Sequence, residues 1–318
     1  DYSFHMTIDD WNDEIKAEVP KMFEQGISSF KMYMTYPAMM IGDKDLFYAL
    51  EEIKKYGGIA GVHCENAGVI DALIEQHKAD GKLAPGSHPE CRPNATEAEA
   101  VAHLLRICEV ADTPVVIVHL STKEALAEVM AARARGQKVY VETCPHYLTL
   151  DESGYYEADF RIAAVYISAP PLRTKDDQNA LWKGRYNGAI QTVSTDHCSF
   201  TLEQKEAGRE DFTKIPGGLP GVETRGVLLY TFGVATGKIT KEKMAEVLSE
   251  NPAKLYGAWP RKGAILAGSD ADIVVYDPEA DTTIKGEDML SEAKYTPYEG
   301  MRTRGSIAQV YLRGQLAV

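Results

Sequence analysis

The sequence predicts an α/β protein: a (β/α)8 TIM-type barrel, incomplete here at about six βα units, with a small, partial β-sandwich module at the C-terminus. Three observations predict it. Short apolar strands without alternation, such as Ile59-Ala60-Gly61-Val62-His63 and Val115-Val116-Ile117-Val118, recur between helical stretches; such strands are buried on both faces, as in a parallel sheet covered by helices. Strand and helix alternate from residue 1 to the region of Ser249. From about Pro260 the texture changes to β-prone runs punctuated by glycine, the pattern of an antiparallel module. The expected division is 1–258 for the barrel and 259–318 for the β module.

In chain order, residues 1–6 (DYSFHM) read as a short strand, followed by an N-cap at Asp9 or Asp10 and a helix to about Gln25, closed by Gly26. Ser28 to Tyr36 holds the next strand. A helix over roughly Lys44 to Tyr56 ends at Gly57-Gly58, and Ile59 to His63 forms a strand. Ile70, Leu73 and Ile74 then recur at helical spacing. The polar stretch Asp80 to Asn94 is a loop, leading into a helix from Thr96 to Ala111 with Val101, Leu104, Leu105 and Cys108 on its apolar face. Pro114 to His119 is a strand, Lys123 to Arg135 a helix and Lys138 to Glu142 a strand. After an irregular section containing APPLRTKDD, Ile190 to Asp196 makes the last strand of the series, and a helix lies near Lys241 to Ser249. A closed barrel needs eight units and this chain starts on a strand, so two further units are expected upstream. In the C-terminal region Ala271 to Tyr276 and Ala308 to Leu312 are the β-prone runs.

Composition narrows the function classes. With 318 residues, 44% of them hydrophobic, the chain can bury a large core. A formal charge of -13 argues against nucleic acid or an anionic membrane as partner, since both require a basic face. Five scattered cysteines without a C-x-x-C pair fit reduced thiols and a cytoplasmic location. No apolar run reaches membrane-spanning length, and DYSFHMTIDDW has no basic segment followed by an apolar one.

The segment Ser28 to Tyr36 sets Lys31 among Phe30, Met32, Tyr33 and Met34 with no acidic neighbour in sequence. Burial there would lower the amine's pKa and leave it free for covalent chemistry or, once modified, metal binding. Taken alone, the stretch reads as a lysine that snorkels out at the end of a strand. Three other residues change that reading. Lys31, His63, His119 and Asp196 each fall at or just past the C-terminal end of a predicted strand, and in a parallel barrel those ends share the catalytic face. Two imidazoles and a carboxylate suit zinc or a similar divalent ion. An ammonium does not, but a lysine carboxylated by carbon dioxide offers two anionic oxygens that can bridge two ions. His5, His77, His88, His103 and His146 read mostly as surface or supporting residues, and His197 as a residue that orients the site.

The segments FKMYMTY, GVHCEN, VIVHLST, ETCPHYL, APPLR, STDHCSF, IPGGLPGVETR, ENPAKLYG, KGAILAGSDADIVVYDP and YTPYEGM resemble, in order and spacing, the hydantoinase and dihydropyrimidinase branch of the cyclic amidohydrolases. The resemblance implies hydrolytic ring opening of a small cyclic amide by a site with two divalent metal ions, zinc being expected. It implies that carboxylated Lys31 bridges the ions, that His63 and His119 ligate the second, and that Asp196 ligates the first and shuttles the proton. It further implies that Tyr36 stabilises the oxyanion, that backbone groups around Ser168, Ala169 and Gly217 hold the substrate, and that the protein is a homo-oligomer, a tetramer or dimer.

The chain also departs from that pattern. No H-x-H occurs in it, and in the family that pair holds the first metal. The expectation is therefore a piece of a longer protein, lacking two βα units of ~30 residues each, inactive by itself and with Lys31 positioned for carboxylation but largely unmodified. Ala169 stands before Pro-Pro-Leu-Arg where the family usually has Ser, and Gly217 where many relatives carry Asn. Two competing readings are an allantoinase or dihydroorotase, against which the FKMYMTY and YTPYEGM segments speak, and a non-catalytic scaffold, against which the four retained ligand-type residues speak.

Overall fold

The computed structural model describes residues 1–318, apart from the side chain of Tyr186. Six parallel strands run in one sheet in strict sequence order: β1 (Met6–Thr7), β2 (Ser29–Tyr33), β3 (Ile59–His63), β4 (Val115–Ile117), β5 (Val139–Thr143) and β6 (Thr192–Val193). Sequential order with every pair parallel is the topology of a barrel wall, where each strand returns through a helix on the outside. The helices are α1 (Asp13–Glu24), α2 (Asp43–Lys55), α3 (Ala67–Ala79), α4 (Ser87–Glu90), α5 (Asn94–Ala111), α6 (Lys123–Ala134), α7 (Pro145–Thr149), α8 (Phe160–Val165) and α9 (Lys175–Tyr186). After β6 come α10 (Leu202–Glu206), α11 (Arg225–Leu229), α12 (Lys241–Ala245) and α13 (Asn251–Leu255), the last two joined by a wider π-type turn at Glu246–Glu250.

Burial explains the strand pattern. Every residue of β3 is buried, as are all of β4, because the interior packs one face and the helices the other. Met32, Val62, Val115, Val141, Leu104 and Val129 lie in one continuous core joining strands to the helical layer. Lys31 pairs across the sheet with Thr7 and Gly61, and Tyr33 with His63, so β2 and β3 end level with each other.

Several element boundaries differ from expectation. The strand over 1–6 shrinks to Met6–Thr7, because only Met6 and Thr7 find partners on β2, while Tyr2 and Phe4 stay exposed. The first helix is capped by Asn12, whose side chain accepts the Glu14 and Ile15 amides, and not by Asp9 or Asp10. The last barrel strand is confined to Thr192–Val193, so Asp196 lies beyond it, just as His119 lies beyond β4. Lys31 departs the other way: it is the middle residue of β2 and sits deeper than the strand end.

The C-terminal region forms a three-stranded antiparallel sheet of β7 (Ile273–Thr283), β8 (Arg302–Leu312) and β9 (Gln315–Leu316). The β7–β8 ladder shifts register between Val275 and Tyr276 and again between Asp277 and Asp281. At this irregularity Gly305 has φ 75°, and a Cβ there would come within 2.4 Å of the Tyr276 ring, so the turn of the strand requires glycine. Thr231 ties β8 to the barrel: its Oγ1 accepts the Arg304 amide at 3.0 Å.

Candidate active site at the mouth of the parallel sheet

Tyr36, His119 and Asp196 are three of the six non-glycine residues with positive φ among the described residues, at 68°, 40° and 46°. Such conformations cost of order 1–3 kcal/mol and persist where the surroundings impose them, most often at functional sites. Each follows a barrel strand, so a sharp left-handed turn brings each side chain back over the strand ends.

The imidazoles of His63 and His119 meet edge to face with centroids 4.5 Å apart, and both residues are buried. His63 Nε2 lies 2.7 Å from Glu65 Oε2, which also accepts from Arg92 Nη1 at 2.7 Å. A carboxylate can only accept, so Nε2 carries the proton and Nδ1 keeps its lone pair. Burial holds both histidines below the usual imidazole range: His63 against the opposing pull of Glu65, and His119 well below it, with the charges of His63 and Lys31 adding to the shift. His119 Nδ1 is buried without a hydrogen-bond partner. Glu65, which burial alone would protonate, is held ionised well below the ordinary carboxylate range by Arg92 and His63.

Lys31 reaches into the same interior. Its Nζ stands 4.9 Å from the centroid of the Tyr33 ring, and no carboxylate lies within 4.0 Å of it among the described residues. Burial lowers its pKa, opposed by the charges of Asp196 and Glu142. Asp196 is solvent-accessible at the mouth, yet crowding by surrounding protein raises its carboxyl, opposed by Lys31 and His63. The Tyr36 ring lies 5.1 Å from that of His63, and burial raises its hydroxyl well above the ordinary phenol range, which keeps it a proton donor.

The substrate-loop residues also converge. A Cβ on Gly217 would stand 3.9 Å from the Ala169 nitrogen, and the Gly218 amide donates to Ile167 O at 2.9 Å. Both Ser168 oxygens are engaged: its carbonyl accepts from His88 Nε2 at 2.7 Å and its hydroxyl donates to Pro170 O at 3.1 Å. His197 Nδ1 accepts the amides of Gly221 and Val222, so it holds that turn.

Reading the sequence missed the supporting groups. Glu65 stands two residues after His63 in GVHCEN, an acid in an apolar setting that could have been flagged. Glu142 on β5 is a half-buried residue whose carboxyl pKa desolvation raises, with Ser194, Lys31 and the His119 amide opposing the shift. Arg173 links the loops: it donates to Arg92 O, Ser121 Oγ and Glu97 Oε2, joining the APPLR loop to the turn that carries His119.

The donor set fits divalent ions. Two neutral imidazoles keep lone pairs in a buried corner, one of them orphaned, and the Asp196 carboxyl and an amine of lowered pKa face the same space. The imidazole pair and Asp196 do not close to within 4.8 Å of one another as a group. Among the described residues that spacing is met by Asp1, Asp270 and Asp272, where Lys262 already supplies the countercharge.

The amidohydrolase family profile matches residues 7–317. The chain is 42% identical to the D-hydantoinase of Streptomyces coelicolor, covering 100% of this chain and 68% of that protein. The chain belongs to the amidohydrolase family. Within that family it falls in the hydantoinase and dihydropyrimidinase branch. The crystal structure of a dihydropyrimidinase from Brevibacillus agri superposes with a TM-score of 0.98 at 40% identity, over 100% of this chain and 69% of that one. An L-hydantoinase from Arthrobacter aurescens superposes at 0.90 with 32% identity, over 95% and 67%. This amidohydrolase therefore has the TIM-type barrel fold, and its family works in general with divalent metal ions. Among the described residues no helix is long and apolar enough to cross a membrane.

Proposed function

We propose that this amidohydrolase opens cyclic amides, hydantoins or dihydropyrimidines, by hydrolysis. The observation that carries the reading is the convergence of two neutral, buried imidazoles, a depressed lysine and a raised carboxyl at the mouth of the parallel sheet. His63 and His119 would hold one divalent ion and Asp196 the other, with Lys31 as a carbamate between them; zinc suits these nitrogen and oxygen donors. Ions bound there would polarise the amide carbonyl and bring the pKa of a water to about 7.

The chain's own residues do the rest. Asp196 accepts the proton of the attacking water and delivers it to the leaving nitrogen. The Tyr36 hydroxyl, held protonated, donates to the oxygen on which charge develops. Backbone groups of Ala169 and Gly217 hold the polar edge of the ring, with Ser168 fixing their geometry. Turnover of hydantoin, dihydrouracil, allantoin and dihydroorotate, compared side by side, tests the substrate class; preference for either of the last two would favour the allantoinase or dihydroorotase reading instead.

These 318 residues contain no H-x-H, so by themselves they are proposed to hold fewer than two ions tightly and to be inactive, with Lys31 largely unmodified. Two tightly bound zinc ions per chain on metal analysis would contradict that. A cytoplasmic homo-oligomer, tetramer or dimer, and a division at residues 258 and 259 complete the proposal.

A further inference from the structure

Lys205, in the last turn of α10, is 1% exposed. Its ammonium makes no ion pair with a carboxylate among the described residues. Instead Nζ donates to two backbone carbonyls, Pro216 O at 3.0 Å and Ile167 O at 3.4 Å. Those residues immediately precede Gly217 and Ser168, on the two separate loops that meet at the candidate substrate site.

Other observations converge on the same place. The Gly218 amide also donates to Ile167 O, at 2.9 Å, so one carbonyl collects a bond from Lys205 and one from the opposite loop. α10 is pressed onto the second loop: a Cβ on Gly208, just past it, would come within 2.4 Å of the Ile215 nitrogen. A capping box of Thr201 and Gln204 starts the helix and fixes where Lys205 points. On the far side, His88 holds the Ser168 carbonyl.

Burying an ammonium without a countercharge is costly, and an apolar side chain of the same length would fill the space at less expense. What the ammonium supplies, and an apolar chain cannot, is a pair of donors spanning two loops. We propose that Lys205 is a positioning residue that clamps the Ile167–Ala169 and Pro216–Gly218 segments together and so sets the spacing of the backbone groups that receive the substrate. The substrate part of this assignment rests on the reading of Ala169 and Gly217 given above; the clamp itself does not. Burial brings the amine to about 8, with Cys198 opposing the shift, so the group stays largely charged at neutral pH.

Hydrogen exchange on the full chain tests the clamp without relying on activity. Lys205→Met keeps the aliphatic stem and removes the donors. The Gly218 amide, and peptides covering 166–173 and 214–221, are expected to exchange on the order of tenfold faster, while β2 to β5 keep wild-type protection. Unchanged exchange in both loops would overturn the clamp. If Lys205→Met loses protection throughout, Lys205→Gln, which retains an amide donor, is measured in the same way; global loss there too would mark a general core requirement and overturn the proposal. Titration with hydantoin, in a protein with the complete metal site, then separates the two readings. Wild-type binding that weakens roughly tenfold in the variant supports both. Wild-type binding that is unchanged in the variant overturns the positioning role. A wild type that binds neither hydantoin nor dihydrouracil overturns the substrate reading, while exchange still decides the clamp.

Discussion

Strands β3 and β7 differ in one property that separates the two regions of the molecule: all five residues of β3 are buried, and none of the eleven in β7 is. In the parallel sheet both faces are covered, so a polar group that enters the interior loses water and its protonation is set by a few fixed neighbours. His63, His119, Lys31 and Glu65 all show this. Just before the antiparallel sheet, Asp270 and Asp272 share Lys262 with all three side chains partly exposed, and their pairing is screened. Chemistry that needs an imidazole kept neutral or a phenol kept protonated can be built in the first region and not in the second.

The contrast can be broken from either side. At the barrel mouth, Asp196→Asn in a protein with the complete site should lower ring opening by roughly 10²–10⁴-fold; near wild-type turnover with metal still bound would remove Asp196 from the proton path. Beneath it, Glu65→Leu strands the Arg92 guanidinium and frees His63 to rotate. Denaturant unfolding should report a loss of about 3–5 kcal/mol, and a loss below about 1 kcal/mol would show that the pair is not the desolvated link it is taken to be.

Acid should find the barrel first. Burial lowers the folded pKa of His88 and of His146 to about 3, whereas an unfolded histidine titrates near ~6.5. Between those limits the unfolded chain binds protons that the folded chain does not. Stability from these groups is therefore present above about pH 6.5 and falls as pH drops toward about 3, by at most about 1.4 kcal/mol per proton per pH unit. Urea midpoints measured from pH 7 to 5 should decline, and His146→Phe should flatten the decline, since its Nε2 has no partner to lose. The smallest effect belongs to the other region. Val274 is 59% exposed, and Val274→Ala should change unfolding stability by no more than about 0.5 kcal/mol; a larger loss would mean that this face of the sheet is covered in solution.

Much of this architecture was legible from local pattern. The non-alternating strands announced a two-faced parallel sheet, and the glycine-punctuated tail announced a different sheet. His63, His119 and Asp196 could be placed at or just past strand ends because strand bounds follow from local apolar runs, whereas Lys31, read in the same way, sits in the middle of β2. The strand predicted over 1–6 failed because pairing, not propensity, defines a strand, and only Met6 and Thr7 find partners. Glu142 and Arg173 were missed for a related reason: an acid or arginine in sequence carries no sign of whether it will be desolvated.

The sequence by itself determined which residue types stand after which strands, since strand and helix periods are properties of a dozen neighbouring residues. Only the tertiary structure decided the rest: the left-handed turns at Tyr36, His119 and Asp196, the tautomer of His63, and the reach of Lys205 to carbonyls on two loops. Those features depend on contacts between segments tens of residues apart, and on the loss of water that such contacts impose, neither of which a local pattern records.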